Sequence, residues 1–187
     1  MLLLRRMFSS AFPRAGGRAP EEVRVLDVRR VTKVTKGGKV LGFTALVVSG
    51  NLSGCVGYGY GKALDVPSAV QKALEQSRRT RIFLEQPADV SQATARQTIT
   101  HAVKAEHCET IVELRPARVN SGIRANRNIT AIAQVAGIQD ISAKVHGSTN
   151  KLNVIKAAFD ALKLLETPQD VALRRGVAVF HSDSSSS

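Results

Sequence analysis

The residues best placed to do chemistry in this chain of 187 residues begin at Gly57-Tyr58-Gly59-Tyr60-Gly61-Lys62, where glycine alternates and a lysine follows. Bare glycine amides beside an ammonium and a helix start are what a phosphate cradle uses. The spacing does not fit either nucleotide fingerprint, G-x-G-x-x-G or G-x-x-x-x-G-K-[ST]. A carboxylate to hold a ribose would fall near Ile82, where the nearest acids are Glu75 and Glu85. Close backbone approach inside a thin α/β layer explains the alternation better than a dinucleotide does. His101, His107 and Cys108 could be imagined on a metal, but no second ligand cluster accompanies them. Glu106, Glu109 and Glu113 lack a partner acid with a role, and no serine stands in G-x-S-x-G. The residues present no catalytic constellation, and they imply neither a cofactor nor a metal.

The cations carry more information. Twenty-seven Lys and Arg against fifteen Asp and Glu give a net charge of +12, which favours a polyanionic partner. With no Trp, two Tyr and six Phe, recognition by stacking on bases is poorly supported. Phosphate and groove-shape contacts to structured RNA are the better match. The positions expected to touch it are Arg29, Arg30, Lys33, Lys36, Gly37, Gly38, Lys39, Lys62, Lys72, Arg78 and Arg79. A solvated helix face is the plainer reading of Lys72, Arg78 and Arg79, but Lys62 and a helix start just after the glycines argue for a phosphate site. Cys55 and Cys108 form no framework, which fits a reducing compartment. No apolar run reaches the roughly eighteen residues of a membrane span, so no membrane partner is expected.

Several elements must position these residues. Residues 23–36 are β-branched and basic with mixed apolar spacing, so helix and strand are not separable there. Lys36-Gly37-Gly38-Lys39 is a turn; residues 43–49 and 55–60 read as strands of a hairpin. A helix follows, capped by Asp65, with Pro67 in its first turn. Val66, Ala69, Val70, Ala73, Leu74 and Ser77 fall on one face, and Glu75 can pair with Arg79. Residues 87–97 read as a linker. Beyond it, residues 98–104, 110–115 and 141–145 are expected strands. Asn128 should cap a short helix closed by Gly137, and residues 153–165 should form a buried helix. Residues 168–187 read as a basic turn (Arg174, Arg175, Gly176) and a disordered serine tail. Residues 1–22 are set apart as a presequence-like arm: the first twenty are Arg-rich, Ser-containing and acid-free, as in mitochondrial targeting segments. A disordered arm that binds RNA directly is the alternative.

Specific motifs then resemble the small-ribosomal-subunit protein number five family. They are Lys36-Gly37-Gly38, Phe43-Thr44-Ala45-Leu46-Val47-Val48, Gly57 to Ala63, Val66-Pro67-Ser68-Ala69, Gly137-Ile138, Gly147-Ser148-Thr149-Asn150, Asn153-Val154 and Asp160-Ala161-Leu162. They occur in collinear order across residues 23–176. The resemblance implies an α+β chain. Residues 23–86 would form a double-stranded-RNA-binding-domain-like unit, a three-stranded sheet with a helix. Residues 98–167 would form a small βαβ-type domain with a left-handed crossover. It further implies binding to small-subunit rRNA, neighbouring proteins number four and number eight, and a place near the mRNA entrance that supports decoding fidelity. Ser148 and Asn150 join the expected RNA contacts, and the turn at Lys36 would reach the neck of the subunit, where spectinomycin acts.

One departure from the family pattern concerns residues 120–127. Relatives usually carry a run like G-T-G-I-I-A-G-G, whereas this chain has Asn120-Ser121-Gly122-Ile123-Arg124-Ala125-Asn126-Arg127. Three glycines are lost and Arg124 and Arg127 gained, which implies altered local geometry and two added phosphate contacts. The expected setting is the mitochondrial matrix, with a bacterium-like cytoplasm or another organelle as the alternative. A free-standing double-stranded-RNA-binding regulator is the competing function. A nucleotide-dependent enzyme is a third, predicting saturable ATP or NAD binding.

Overall fold

A computed structural model describes residues 21–84, 98–166 and 168–176. The expected targeting arm (apart from Glu21 and Glu22), the linker at 87–97 and the serine tail lie outside the described residues. The first unit comprises β1 (Glu22–Thr35), β2 (Gly38–Gly50), β3 (Cys55–Ala63), α1 (Val66–Arg79) and β4 (Ile82–Phe83). The second comprises β5 (Val103–His107), β6 (Thr110–Pro116), β7 (Ile123–Arg124), α2 (Arg127–Ala136), β8 (Ile141–Gly147), α3 (Lys151–Lys163) and α4 (Pro168–Arg175).

The first sheet is antiparallel in the order β1-β2-β3-β4, so the two-residue β4 adds an edge to the three strands expected. The second sheet runs β5-β6-β8-β7, and β7 pairs parallel with β8 across α2, a βαβ unit. The ambiguous segment 23–36 is a strand. Its pairing with β2 shifts register between Val25 and Asp27, so Val23 and Val25 share a face with Val28 and the period-two signal is broken.

Why β2 reads as a continuous apolar run is clear from its two faces. Ala45 and Val47 pack on Ala69, Val70 and Ala73 of α1, while Leu46 and Val48 face the second unit. There they join Val56, Val112, Leu114, Ile132 and Phe159 in one core shared by both halves. Tyr58 meets Phe159 edge-on, ring centroids 4.6 Å apart. The β2–β3 turn also caps α2, the Leu52 amide donating to the Val135 carbonyl at 3.1 Å and the Gly54 amide to Ala136 at 2.9 Å. Gly137 ends that helix as expected, in the left-handed conformation at φ 87°.

Several boundaries differ from expectation, each for a local reason. Thr98 and Thr100 spend their hydroxyls on the Ala117 amide and the Glu166 carbonyl, so β5 starts only at Val103. Asn126, extended at φ −61° and ψ 147°, caps α2 by accepting the Asn128 amide at 3.4 Å, so Asn128 is not the cap. Asp65 occupies the cap position of α1, but its side chain makes no capping bond. Residues 174–175 close a helix rather than a turn: Asp170 in the first turn and Arg174 and Arg175 in the last complement the dipole of α4.

Candidate nucleic-acid interface

The glycines of β3 prove to be packing devices. A Cβ on Gly57, Gly59 or Gly61 would run into the carbonyl oxygens of Ser77, Ala73 and Ala69, respectively. The backbone of α1 thus lies directly on β3, which leaves no room for a phosphate over those glycines. Side chains of α1 also cover the edge of β3 beyond β4: Gln76 accepts the Tyr60 amide at 3.0 Å, and the Thr80 hydroxyl donates to the Tyr58 carbonyl.

With that edge sealed, the open surface lies on the β1–β2 hairpin, which outruns β3. Pairing of β2 with β3 ends at Phe43↔Ala63, whereas β1 stays paired to β2 as far as Thr35↔Gly38. Lys36, Gly37, Gly38 and Lys39 form its exposed tip, with Gly38 at φ 132° and the Thr35 hydroxyl closing the turn on the Gly38 carbonyl. Arg30 and Lys33 are exposed along β1. Where β3 stops, a cleft of about 320 Å³ opens beside β2, and Lys33, Lys62 and Lys72 line it together with Val40, Leu41 and Leu64. No carboxylate lines that cleft. The cleft brings Lys62 together with Lys72 and Lys33, and no first-turn residue of α1 lines it.

At the base of the hairpin the charges are engaged internally. Asp27 accepts from Arg29 at 2.5 Å and from Lys151, at the start of α3, at 2.7 Å. Burial would raise the Asp27 carboxyl, but hydrogen bonds from Lys151 and Arg29, and their charges, outweigh it and hold the group below its ordinary range. The pair brings β1 next to the Gly147–Asn150 loop. There the Ser148 amide donates to the Glu109 carbonyl at 3.1 Å, and the Asn150 amide donates to the Ser148 hydroxyl at 3.4 Å. Lys151 escaped the sequence reading, although it directly follows Asn150.

Arg78 is not a free cation. Its guanidinium and that of Arg81 grip Glu21, at 3.0 and 2.6 Å. Arg79 stays exposed and makes no ion pair with Glu75. Burial pushes the Glu21 carboxyl up, yet hydrogen bonds from Arg78 and Ser49 and the two guanidinium charges leave it lowered. Arg124 on β7 and Arg127 at the start of α2 are exposed on the second unit and do not line the cleft. His101 and His107 have local partners, Thr100 at 3.0 Å and Asp160 at 3.5 Å. A larger cavity of about 420 Å³ lies between the units, but its lining includes none of the expected RNA contacts. No helix among the described residues is long and apolar enough to cross a membrane.

Comparison with known proteins covers both units. A family model described as Ribosomal protein S5, N-terminal domain, matches residues 21–83, and one described as Ribosomal protein S5, C-terminal domain, matches residues 105–175. The chain is 45% identical over 156 residues to the small ribosomal subunit protein uS5 of Coxiella burnetii, spanning 83% of this chain and 88% of that protein. Identity is 42% to the protein of the same name from Tolumonas auensis and 44% to that from Alcanivorax borkumensis, each over 83% of this chain and 89% of the relative.

Proposed function

The chain belongs to the ribosomal protein S5 family and is a structural constituent of the small ribosomal subunit, and we propose that the β1–β2 hairpin and the cleft beside it dock it onto rRNA. The family is one of structural proteins rather than enzymes. The observation that carries the docking role is the hairpin itself: Lys33, Lys36 and Lys39 lie beyond the last residue paired to β3, Arg30 stands level with it, and none of the four has an ion-pair partner among the described residues. Free cations on a rigid two-stranded arm suit phosphates, because no internal pair must be broken first. Arg29, Gly37, Gly38, Lys62, Lys72 and Arg79 extend the surface. Ser148 and Asn150, with Arg124 and Arg127, form its share on the second unit. Arg78 serves mainly to hold Glu21.

Residues 23–86 are read as double-stranded-RNA-binding-domain-like. Residues 98–167 are read as a domain with a left-handed crossover, joined to the first by a linker at 87–97. Proteins number four and number eight are the proposed neighbours, with the hairpin near the mRNA entrance and an influence on decoding accuracy. The proposed home is the mitochondrial ribosome, with the expected targeting segment shortened to residues 1–20 because Glu21 and Glu22 belong to the first unit; the relatives compared are bacterial, which keeps a bacterium-like cytoplasm as the alternative.

Two measurements test the docking role. The full chain should cosediment with small ribosomal subunits and remain bound at high salt. Lys36→Ala with Lys39→Ala should lower the slope of log affinity for small-subunit rRNA against log salt by about 2, about 1 per phosphate contact. An unchanged slope would remove the hairpin tip from the interface.

A further inference from the structure

Resting on the reading of the hairpin as an RNA-docking arm, we propose that the cleft where β3 ends receives one unpaired nucleotide of the bound RNA. Its base lies on the aliphatic floor and its phosphate among Lys33, Lys62 and Lys72. The floor is what decides against a purely paired ligand. Leu41 and Leu64 are 51% and 71% exposed, and Val40, on the opposite face of β2, is 52% exposed at the same strand edge: apolar side chains in the middle of a basic surface. Duplex RNA turns phosphates and sugar edges outward, and these gain nothing from aliphatic contact. The faces of an extruded base are the apolar surface that RNA can offer such a floor. At about 320 Å³ the cleft lies at the small end of the roughly 300–1,000 Å³ range of ligand pockets, room for one nucleotide rather than a helical groove.

Charge and backbone agree with this occupant. All three lysines lack an ion pair among the described residues and no acid lines the cleft, so an apolar side chain from a neighbouring protein would fill the floor while leaving three ammoniums unmatched. Because β3 no longer pairs with β2 short of Phe43, the strand edge from Gly38 to Gly42 is free on the cleft side. Its amides and carbonyls can meet the polar rim of a base. Recognition of this kind uses aliphatic contact and a strand edge, and so does not need the aromatic residues that the chain largely lacks.

The test compares two RNA hairpins of equal length, one carrying a single unpaired 2-aminopurine in its stem and the other with that position paired. The full-length chain should bind the bulged hairpin at least about fivefold more tightly, what burying about 40 Å² of apolar surface gives. Leu41→Ser with Leu64→Ser, both at exposed positions, should bring the bulged hairpin down to the affinity of the paired one. Equal wild-type affinities, or a preference that survives the double substitution, would overturn the proposal. The Lys36→Ala/Lys39→Ala variant keeps the two readings apart: it should weaken binding to both hairpins while preserving their ratio. A wild-type salt slope with the ratio kept counts against the tip and not against the cleft, whereas a lost ratio moves the discrimination to the tip and overturns the cleft.

Discussion

Gly59→Ala is the sharpest challenge to the packing deduced for β3 and α1. A methyl at Gly59 would overlap the Ala73 carbonyl oxygen and lie 2.7 Å from the Ser77 nitrogen and 2.9 Å from the Ala73 carbonyl carbon. All three obstacles are helix backbone, so no rotamer change can make room. The helix must lift from the sheet, loosening Ala69, Val70 and Ala73, which are at most 1% exposed. Overpacking ordinarily costs about 1–3 kcal/mol; a clash with backbone along a whole helix belongs at the top of that range or above it. With a urea m-value of about 2 kcal/mol/M, a loss of about 3 kcal/mol lowers the unfolding midpoint by about 1.5 M. Gly37→Ala is the matched control, because nothing lies within 4 Å of its added methyl. It should leave the midpoint unchanged or raise it, as the unfolded chain loses freedom, by about 0.4–1 kcal/mol. Urea titration followed by circular dichroism measures both. A wild-type midpoint for Gly59→Ala, or an equal fall for Gly37→Ala, would refute the direct seating of α1 on β3.

Three further outcomes follow from charges placed by the fold. Because the Glu21 carboxyl is lowered in the folded state, its stabilisation is complete above the unfolded value of about 4.3 and is lost as pH falls through the folded one. Glu21→Gln should therefore cost about 1 kcal/mol at neutral pH and remove part of the acid sensitivity below about pH 4, as measured by urea unfolding at several pH values. A double-mutant cycle of Asp27→Asn and Lys151→Met should give a coupling of about 0.5–1 kcal/mol, since the 2.7 Å pair is only partly shielded; zero coupling would mean this pair adds nothing to the apolar core and the β2–β3 turn in holding the two units together. Arg124→Ala with Arg127→Ala should weaken rRNA binding and flatten its salt dependence by about 2 in slope, and an unaltered slope in a filter-binding salt titration would exclude both residues from phosphate contact.

How far each feature was legible in the sequence depends on the range of the interaction that makes it. The face of α1 is set by neighbours three and four apart, and its residues could be named in advance. The glycine row was readable as close approach because an alternating pattern matches a strand and not a phosphate loop. β1 was not readable: the register shift between Val25 and Asp27 moves its valines out of phase, so a period-two strand loses its signature. The cap on α2 by Leu52 and Gly54, and the seating of Tyr58 on Phe159, join residues about eighty to a hundred positions apart, beyond the reach of any local pattern. The cleft has the same origin. It exists because two strands outrun a third, a difference in length settled by pairing, so Lys62 and Lys72 were nameable as cations while Val40, Leu41 and Leu64 gave no sign of belonging with them.

The loop at 120–127 shows the same division in its sharpest form. Against the glycine-rich family pattern, three replacements there pointed to altered geometry. In the fold only one of the three positions, Asn120, takes a left-handed conformation, at φ 69°. Asparagine is among the few residues that accept it at small cost. Asn126 is extended and caps α2, and Arg127 is the first residue of that helix, so neither needs glycine. The buried Asp140 carboxylate then fixes the turn by accepting the Gly122 amide at 2.7 Å and the Asn120 amide at 3.3 Å. Glycine is thus exchanged here for residues that fit the local backbone. What the exchange adds is charge: Arg124 on β7 and Arg127 at the start of α2 are both exposed just after the turn that Asp140 holds, and neither asks the backbone for an unusual conformation.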